Sequence, residues 1–134
     1  MGIEVRPARA EDEGAILALV RSERMRPTGL DWRRFHVACE GGEVVGTVRL
    51  YPLGDGLWKG DRLAVLPDAR VHRLGAALVN FAVRTAGSLG GVRMVAQVQT
   101  SNVRFFERLG WERDGEAAPY RGVMHQPMAI PLSP

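Results

Sequence analysis

Apolar and polar positions alternate almost from the first residue, and Ile3 to Ala8 predicts a strand. The pattern then becomes helical from Ala10 to Met25. Ile16, Leu19 and Val20 share one face, and Glu11, Asp12 and Glu13 crowd the first turn, where a helix dipole favours acids. Pro27-Thr28-Gly29 breaks this run, and Leu30 to Arg34 reads as a short second helix. Phe35 to Glu40 and Glu43 to Tyr51, joined by Gly41-Gly42, predict a hairpin. Leu53 to Gly56 reads as a turn and Leu57 to Leu66 as a further strand. Beyond the Pro67-Asp68 turn signal, Leu74, Leu78 and Phe81 recur at helical spacing. They predict a helix from about Val71 to Ser88, with Gly87, Gly90 and Gly91 as stop signals. Val92 to Gln99 predicts a strand, apolar at Val92, Met94, Ala96 and Val98. Thr100 or Ser101 is placed to cap a short helix ending at Gly110, and Trp111 to Glu116 and Val123 to Leu132 read as the final strands. The sum is a mixed α/β layer structure with about seven strands and about four helices.

Composition narrows the class. The chain has 134 residues, 46% of them hydrophobic, which predicts one domain over 1–134 with a packed core. No apolar run approaches the roughly 20 residues needed to span a bilayer. The start, Met1 to Arg6, lacks a signal-peptide core, and Gly2 is not set in a myristoylation pattern. The expectation is a cytoplasmic protein with no membrane partner. The net charge of +3, without a Lys/Arg run, argues against a nucleic-acid partner but suits a polyanionic small ligand. Arginine dominates, with Lys59 the single lysine, as in the coding bias of GC-rich genomes. The single cysteine, Cys39, excludes an internal disulfide. A buried thiol is favoured over a nucleophile there. No His/Asp/Glu set has metal-ligand spacing, so no metal is expected. His36 alternates with Phe35 and Val37 and is expected at the surface.

The densest chemistry lies in Arg70-Val71-His72-Arg73-Leu74-Gly75-Ala76-Ala77-Leu78-Val79. A strand, a turn and a helix that starts with small residues make an anion cradle. The first helical N–H groups lack internal partners, and the dipole favours negative charge there. Gly75, Ala76 and Ala77 leave room for a diphosphate beside the backbone, and Arg70, His72 and Arg73 add positive charge.

The element order and three local motifs resemble the GCN5-related N-acetyltransferase (GNAT) superfamily over nearly the whole chain. The family's acetyl-CoA signature, Arg/Gln-x-x-Gly-x-Gly/Ala after the fourth strand, is met by Arg70-Val71-His72-Arg73-Leu74-Gly75, with Arg73 replacing the middle glycine. Phe105-Phe106-Glu107-Arg108-Leu109-Gly110-Trp111 resembles the family's Phe-Tyr-x-x-Leu-Gly-Phe. Gly122-Val123-Met124-His125-Gln126-Pro127-Met128, after Gly115-Glu116, resembles the Gly-Ile-Pro-His-x-x-Met ending of a small acetyltransferase subgroup. The phrase around Val71 to Gly75 is also similar to a bacterial subgroup associated with nitrogen starvation.

The resemblance implies a central, mostly antiparallel sheet whose fourth and fifth strands splay to admit acetyl-CoA as cofactor. It implies that backbone groups of Leu63, Ala64 and Val65 pair with the pantetheine amides. Main-chain N–H groups of Val71, His72, Arg73, Leu74, Gly75 and Ala76, with the side chain of Arg70, would hold the pyrophosphate. Asn102 and Phe106 would line the same cofactor. The implied reaction is direct acetyl transfer to the amine of a small molecule in a ternary complex. It needs a route for the amine proton, a donor to the oxyanion, and an acid for the departing thiolate. The tyrosine that usually supplies that acid is replaced by Phe106, which has no proton to give. The thiolate then leaves unaided, or Tyr120, His125 or Ser101 substitutes, or the domain binds an acyl-CoA without rapid turnover. Asp61 and Glu40 are the carboxylates nearest the expected amine pocket, and each could equally be an outward-facing charge. Trp32 and Trp58 either wall the acceptor site or pack at the surface or in the core, while Trp111 should be core. Homodimers are frequent in the superfamily, and the sequence alone shows no interface.

Overall fold

The computed structural model describes residues 2–23, 25–26, 28–67 and 73–134. Among these described residues eight strands and three α-helices follow in the order β1 (Ile3–Pro7), α1 (Glu13–Ser22), β2 (Phe35–Glu40), β3 (Glu43–Gly54), β4 (Leu57–Val65), α2 (Leu74–Ser88), β5 (Arg93–Gln99), α3 (Val103–Arg108), β6 (Glu112–Arg113), β7 (Ala118–Tyr120) and β8 (Val123–Pro131). The strands form one sheet in the order β1-β2-β3-β4-β5-β8-β6, with β7 also paired to β8. The pairing of β4 with β5 is parallel, and the other registered pairs are antiparallel. The chain forms two compact units. One comprises Met1–Leu50 and Arg62–Ala82, the other Tyr51–Asp61 and Val83–Pro134.

In the first unit, the helix expected over Ala10 to Met25 divides into a single 3-10 turn, Ala10–Asp12, and α1. Asp12 sets this start. Its carboxylate accepts the Arg9 backbone N–H at 2.7 Å and binds Arg6 through two oxygens, at 2.7 and 3.1 Å. The two-pronged pair holds Asp12 below the usual carboxylate range and raises Arg6 above its ordinary value. Ile16 and Val20 of α1 pack on Ala8, Phe35, Val37 and Cys39. Burial of side chains of this kind stabilises by about 1.5–3 kcal/mol each. Cys39 is a buried free thiol, as expected. Leu30 to Arg34 forms only a 3-10 turn, Trp32–Arg34, whose start Asp31 caps by accepting the Arg33 N–H. Gly41 and Gly42 take φ of 58° and 81°, and the Glu40↔Glu43 pair closes a two-residue hairpin around them.

The opposite face of β2 and β3 meets α2. A Cβ on Gly46 would lie 2.9 Å from Leu78 Cδ1 and 3.5 Å from Leu74 Cδ2, so the bare backbone admits the helix. His36 belongs to this face. It is 9% exposed, its ring centroid lies 5.1 Å from that of Phe81, and its Nδ1 has no hydrogen-bond partner. The surface position expected for His36 is therefore wrong. A central strand covered on both faces has no solvated side, so alternation along β2 does not mark exposure.

In the second unit, Met94 and Val98 of β5, Val103 of α3, Trp111, and Met128 and Ala129 of β8 are buried. Val92, expected to open β5 on its apolar side, precedes the strand and is exposed. Helix α2 runs through Gly87 to Ser88 and stops at Gly90, where φ is +94°. A Cβ on Gly87 would overlap the Ser133 carbonyl, so this glycine serves close approach rather than termination. The helix expected before Gly110 begins as a 3-10 turn, Thr100–Asn102, without a side-chain cap from Thr100 or Ser101. The expected strand from Trp111 to Glu116 shrinks to β6, and β7 is an additional strand. Among the described residues no helix is long and apolar enough to cross a membrane.

Candidate cofactor and acceptor sites

In the first unit the candidate residues lie on β4 and at the start of α2. Leu63 is half-buried, and Ala64 and Val65 are buried. Arg62, just before them, has φ of +53°, an irregular conformation for a strand residue with a side chain. The next residue after β4, Leu66, donates its N–H to the Val45 carbonyl at 2.9 Å. The registered β4–β5 pairs run from Leu57↔Arg93 to Lys59↔Val95, whereas the strands continue to Val65 and Gln99. Arg70, Val71 and His72 lie outside the described residues.

Arg73 is exposed and adopts φ of +56°, and its carbonyl accepts the Ala77 N–H at 3.2 Å. It is thus the residue from which α2 starts, held in a left-handed conformation that suits glycine. That is a physical reason for the glycine in the motif it departs from. Leu74 is buried and packs toward Gly46, so only its backbone is available to a ligand. Gly75 and Ala76 are half-buried in the first turn. The N–H groups of Leu74, Gly75 and Ala76 face out of the helix end without intrahelical acceptors, beside a cationic side chain. A helix end of this kind favours an anion. Glu40 is half-buried at the end of β2, opposite Ile3 and Glu43.

The second unit holds the other candidates. Tyr120 and His125 come together, their ring centroids 5.2 Å apart and nearly perpendicular. The β7–β8 ladder carries them, pairing Ala118 with His125 and Tyr120 with Val123. His125 Nδ1 lies 2.7 Å from the Val123 carbonyl oxygen. A carbonyl only accepts, so Nδ1 carries the proton of the neutral ring and Nε2 is the basic nitrogen. Gln99 pairs with His125, which sets the imidazole beside the end of β5, where the Thr100–Asn102 turn departs. Ser101 and Asn102 are exposed in that turn. Arg121 lies over the Tyr120 ring, 5.4 Å from its centroid.

Phe106 is half-buried and meets Phe105 and Trp111 edge to face, with centroids 5.3 and 5.4 Å away. Its ring is a packing element. Asp61 is half-buried on β4. Trp32 packs against the core of the first unit, with Arg33 stacked on its ring at 4.8 Å, and Trp58 lies close to Gly91. Trp111 is 4% exposed, the core position expected of it. Gln126, unremarked in the sequence, is buried with its amide bonded to two backbone carbonyls. The available signal was a polar residue at an inward position of an otherwise apolar strand. Among the described residues no group of three His, Cys, Asp or Glu side chains could hold a metal ion.

A family model described as acetyltransferase (GNAT) family matches residues 6–111. No curated protein matches the sequence. Among solved structures, N-acetylglutamate synthase from Neisseria gonorrhoeae, complexed with coenzyme A and N-acetyl-glutamate, superposes with a TM-score of 0.85 at 21% identity over 100% of this chain. The chain spans 36% of the length of that synthase. Rv2747 from Mycobacterium tuberculosis, solved with CoA, gives a TM-score of 0.84 at 22% identity, covering 96% of this chain and 99% of the other. A phosphinothricin acetyltransferase from Sinorhizobium meliloti, in complex with AcCoA, gives 0.81 at 21% identity, covering 99% and 90%.

Proposed function

We propose that this chain, which belongs to the acetyltransferase (GNAT) family, is an acetyl-CoA-dependent N-acetyltransferase that acts on the amine of a small molecule. The observation that carries the reading is the start of α2. Arg73, Leu74, Gly75 and Ala76 combine outward N–H groups, small side chains and a cation, the chemistry a diphosphate requires. The solved neighbours that hold CoA or AcCoA support the same reading. In it the whole chain is one acetyltransferase domain. It works in the cytoplasm on a dissolved amine, with neither nucleic acid nor membrane as partner.

When bound, acetyl-CoA supplies the acyl group as an activated thioester. Backbone groups of Leu63, Ala64 and Val65 hold the pantetheine arm, and the start of α2 holds the phosphates. Asn102 and Phe106 are the further residues proposed to line the cofactor. The acceptor must reach the carbonyl as a neutral amine. His125 takes its proton at Nε2, the nitrogen left basic by the bond from Nδ1 to Val123. The new C–N bond forms as the C–S bond breaks, and the thiolate takes a proton from the Tyr120 phenol, the role Phe106 cannot fill. Asp61 and Glu40 are the carboxylates available to attract a cationic amine.

Thermal-shift titration with CoA and acetyl-CoA, followed by an assay of CoA release across an amine panel, tests the proposal. Both ligands should raise Tm, and at a hundredfold excess over Kd the gain is about 2.7 kcal/mol. Tyr120→Phe and His125→Gln should each lower kcat by about a hundredfold while leaving CoA binding intact. No stabilisation by either ligand at millimolar concentration would sink the reading. Phe106 motivates a second reading, a non-catalytic acyl-CoA sensor, which binding without turnover of any amine would favour.

A further inference from the structure

Gln126 lies on β8 between His125 and Pro127 and is 6% exposed. Strand alternation turns it to the face opposite His125. Its side-chain nitrogen donates to the carbonyls of Gly115, at 2.8 Å, and Pro127, at 3.0 Å. Both partners are acceptors, which requires the NH2 end of the amide to face them. The Pro127 carbonyl also receives the Asp114 N–H, at 2.8 Å. Asp114 and Gly115 open the connection from β6 to β7, and Gly115 turns it with φ of +114°. The chain then pairs with β8 from Ala118, and at Tyr120 it places the phenol ring on the His125 imidazole.

Packing alone does not ask for an amide at this position. A buried amide costs free energy unless both its ends are served, and an apolar side chain of like size fills the space without that cost. The amide adds directionality, fixing where the connection leaves β8 and therefore where Tyr120 arrives. We infer that Gln126 is a positioning residue for the reaction: it clamps the Asp114–Gly115 turn to β8 and so holds the Tyr120 ring against that of His125. The inference rests on the proposed roles of Tyr120 and His125. Gln126 itself touches neither ring's reacting atom, since it faces away from His125 and acts through the backbone.

Two variants test it, Gln126→Leu and Gln126→Glu, with amide hydrogen exchange measured beside steady-state turnover. Gln126→Leu should lose about tenfold to a hundredfold in kcat, as expected for a misplaced catalytic group, with KM for acetyl-CoA within about twofold. Exchange should quicken at residues 115–120 and stay unchanged in α3. Gln126→Glu carries a readout that a packing role would not move. Its ionised carboxylate faces two carbonyl oxygens and only accepts, whereas its protonated form donates. The ratio of its kcat to that of the natural protein should therefore rise as pH falls from about 8 to about 6, because burial between acceptors raises a carboxyl pKa. Unchanged kcat in both variants overturns the inference. So does a loss in which KM for acetyl-CoA and exchange throughout β5, α3 and β8 rise together. If the natural protein binds CoA and acetylates no amine, the proposed function fails separately. Exchange at residues 115–120 then decides the clamp, and equal rates in the three proteins reject it.

Discussion

Arg73 concentrates the question of what one residue contributes. It starts α2 from a left-handed conformation, which costs a side-chain-bearing residue about 1–2 kcal/mol relative to glycine. Glycine gives back part of that difference through its larger unfolded-state entropy. Arg73→Gly should therefore raise stability by about 1 kcal/mol, read from chemical denaturation, and weaken CoA binding through loss of the cation. Lower stability in the variant would refute the strain. The motif containing Arg73 was legible in the sequence because it is contiguous and follows an apolar strand. The backbone angle was not legible, since nothing in the letters marks an arginine as left-handed. His36 failed differently. Its neighbours alternate as they would in a strand with one wet face, and only the helices covering both faces of β2 reveal its burial.

Among the elements, the long ones were readable and the short ones were not. The β2–β3 hairpin, β4, α2, β5 and β8 carry enough periodic positions, or a glycine turn, to declare themselves. Strand β7 is Ala118–Tyr120 with a proline at its centre. Pairing with β8 makes it a strand, and no local preference does. The single 3-10 turns at Ala10–Asp12, Trp32–Arg34 and Thr100–Asn102 fall where the sequence predicts helix, since one turn of either helix type shows the same short pattern. Helix α2 yields the prediction proper to this scale. Its Gly87 faces the Ser133 carbonyl too closely for a methyl group, and the obstacle is backbone rather than a flexible side-chain end. Gly87→Ala gains helix propensity of about 1 kcal/mol, yet it should lower Tm and speed exchange near Ser133 as the terminal segment is displaced. An unchanged or higher Tm would show that the segment adapts at no cost.

For the molecule as a whole, acid is the expected weakness. Burial disfavours the charged form of His36 and lowers its pKa, so the unfolded chain binds a proton there before the folded one does. Stability should begin to fall as pH drops through the ordinary imidazole value of about 6.5. Asp12, depressed by Arg6 and the Arg9 amide, adds a second loss as pH falls below the ordinary carboxylate value of about 3.9. The charged groups facing each site differ: Asp12 has Arg6 at 2.7 Å, whereas the strand residues flanking His36, Pro7 and Val48, are uncharged. A series of Tm values against pH should show both steps, and His36→Phe should abolish the upper one alone. An upper step that persists in the variant assigns it elsewhere.

The ring sequence Phe105, Phe106 and Trp111 has an optical consequence. The Trp111 indole is 4% exposed and its N–H has no hydrogen-bond partner, so water and polar groups cannot relax around its excited state. Its emission should lie well to the blue of that from a solvated indole. With Trp32 and Trp58 replaced by phenylalanine, the remaining colour would register the state of α3 and β6 without any attached dye. The indole packed against Phe106, which stands where a catalytic hydroxyl was expected, thus supplies a built-in gauge of those surroundings.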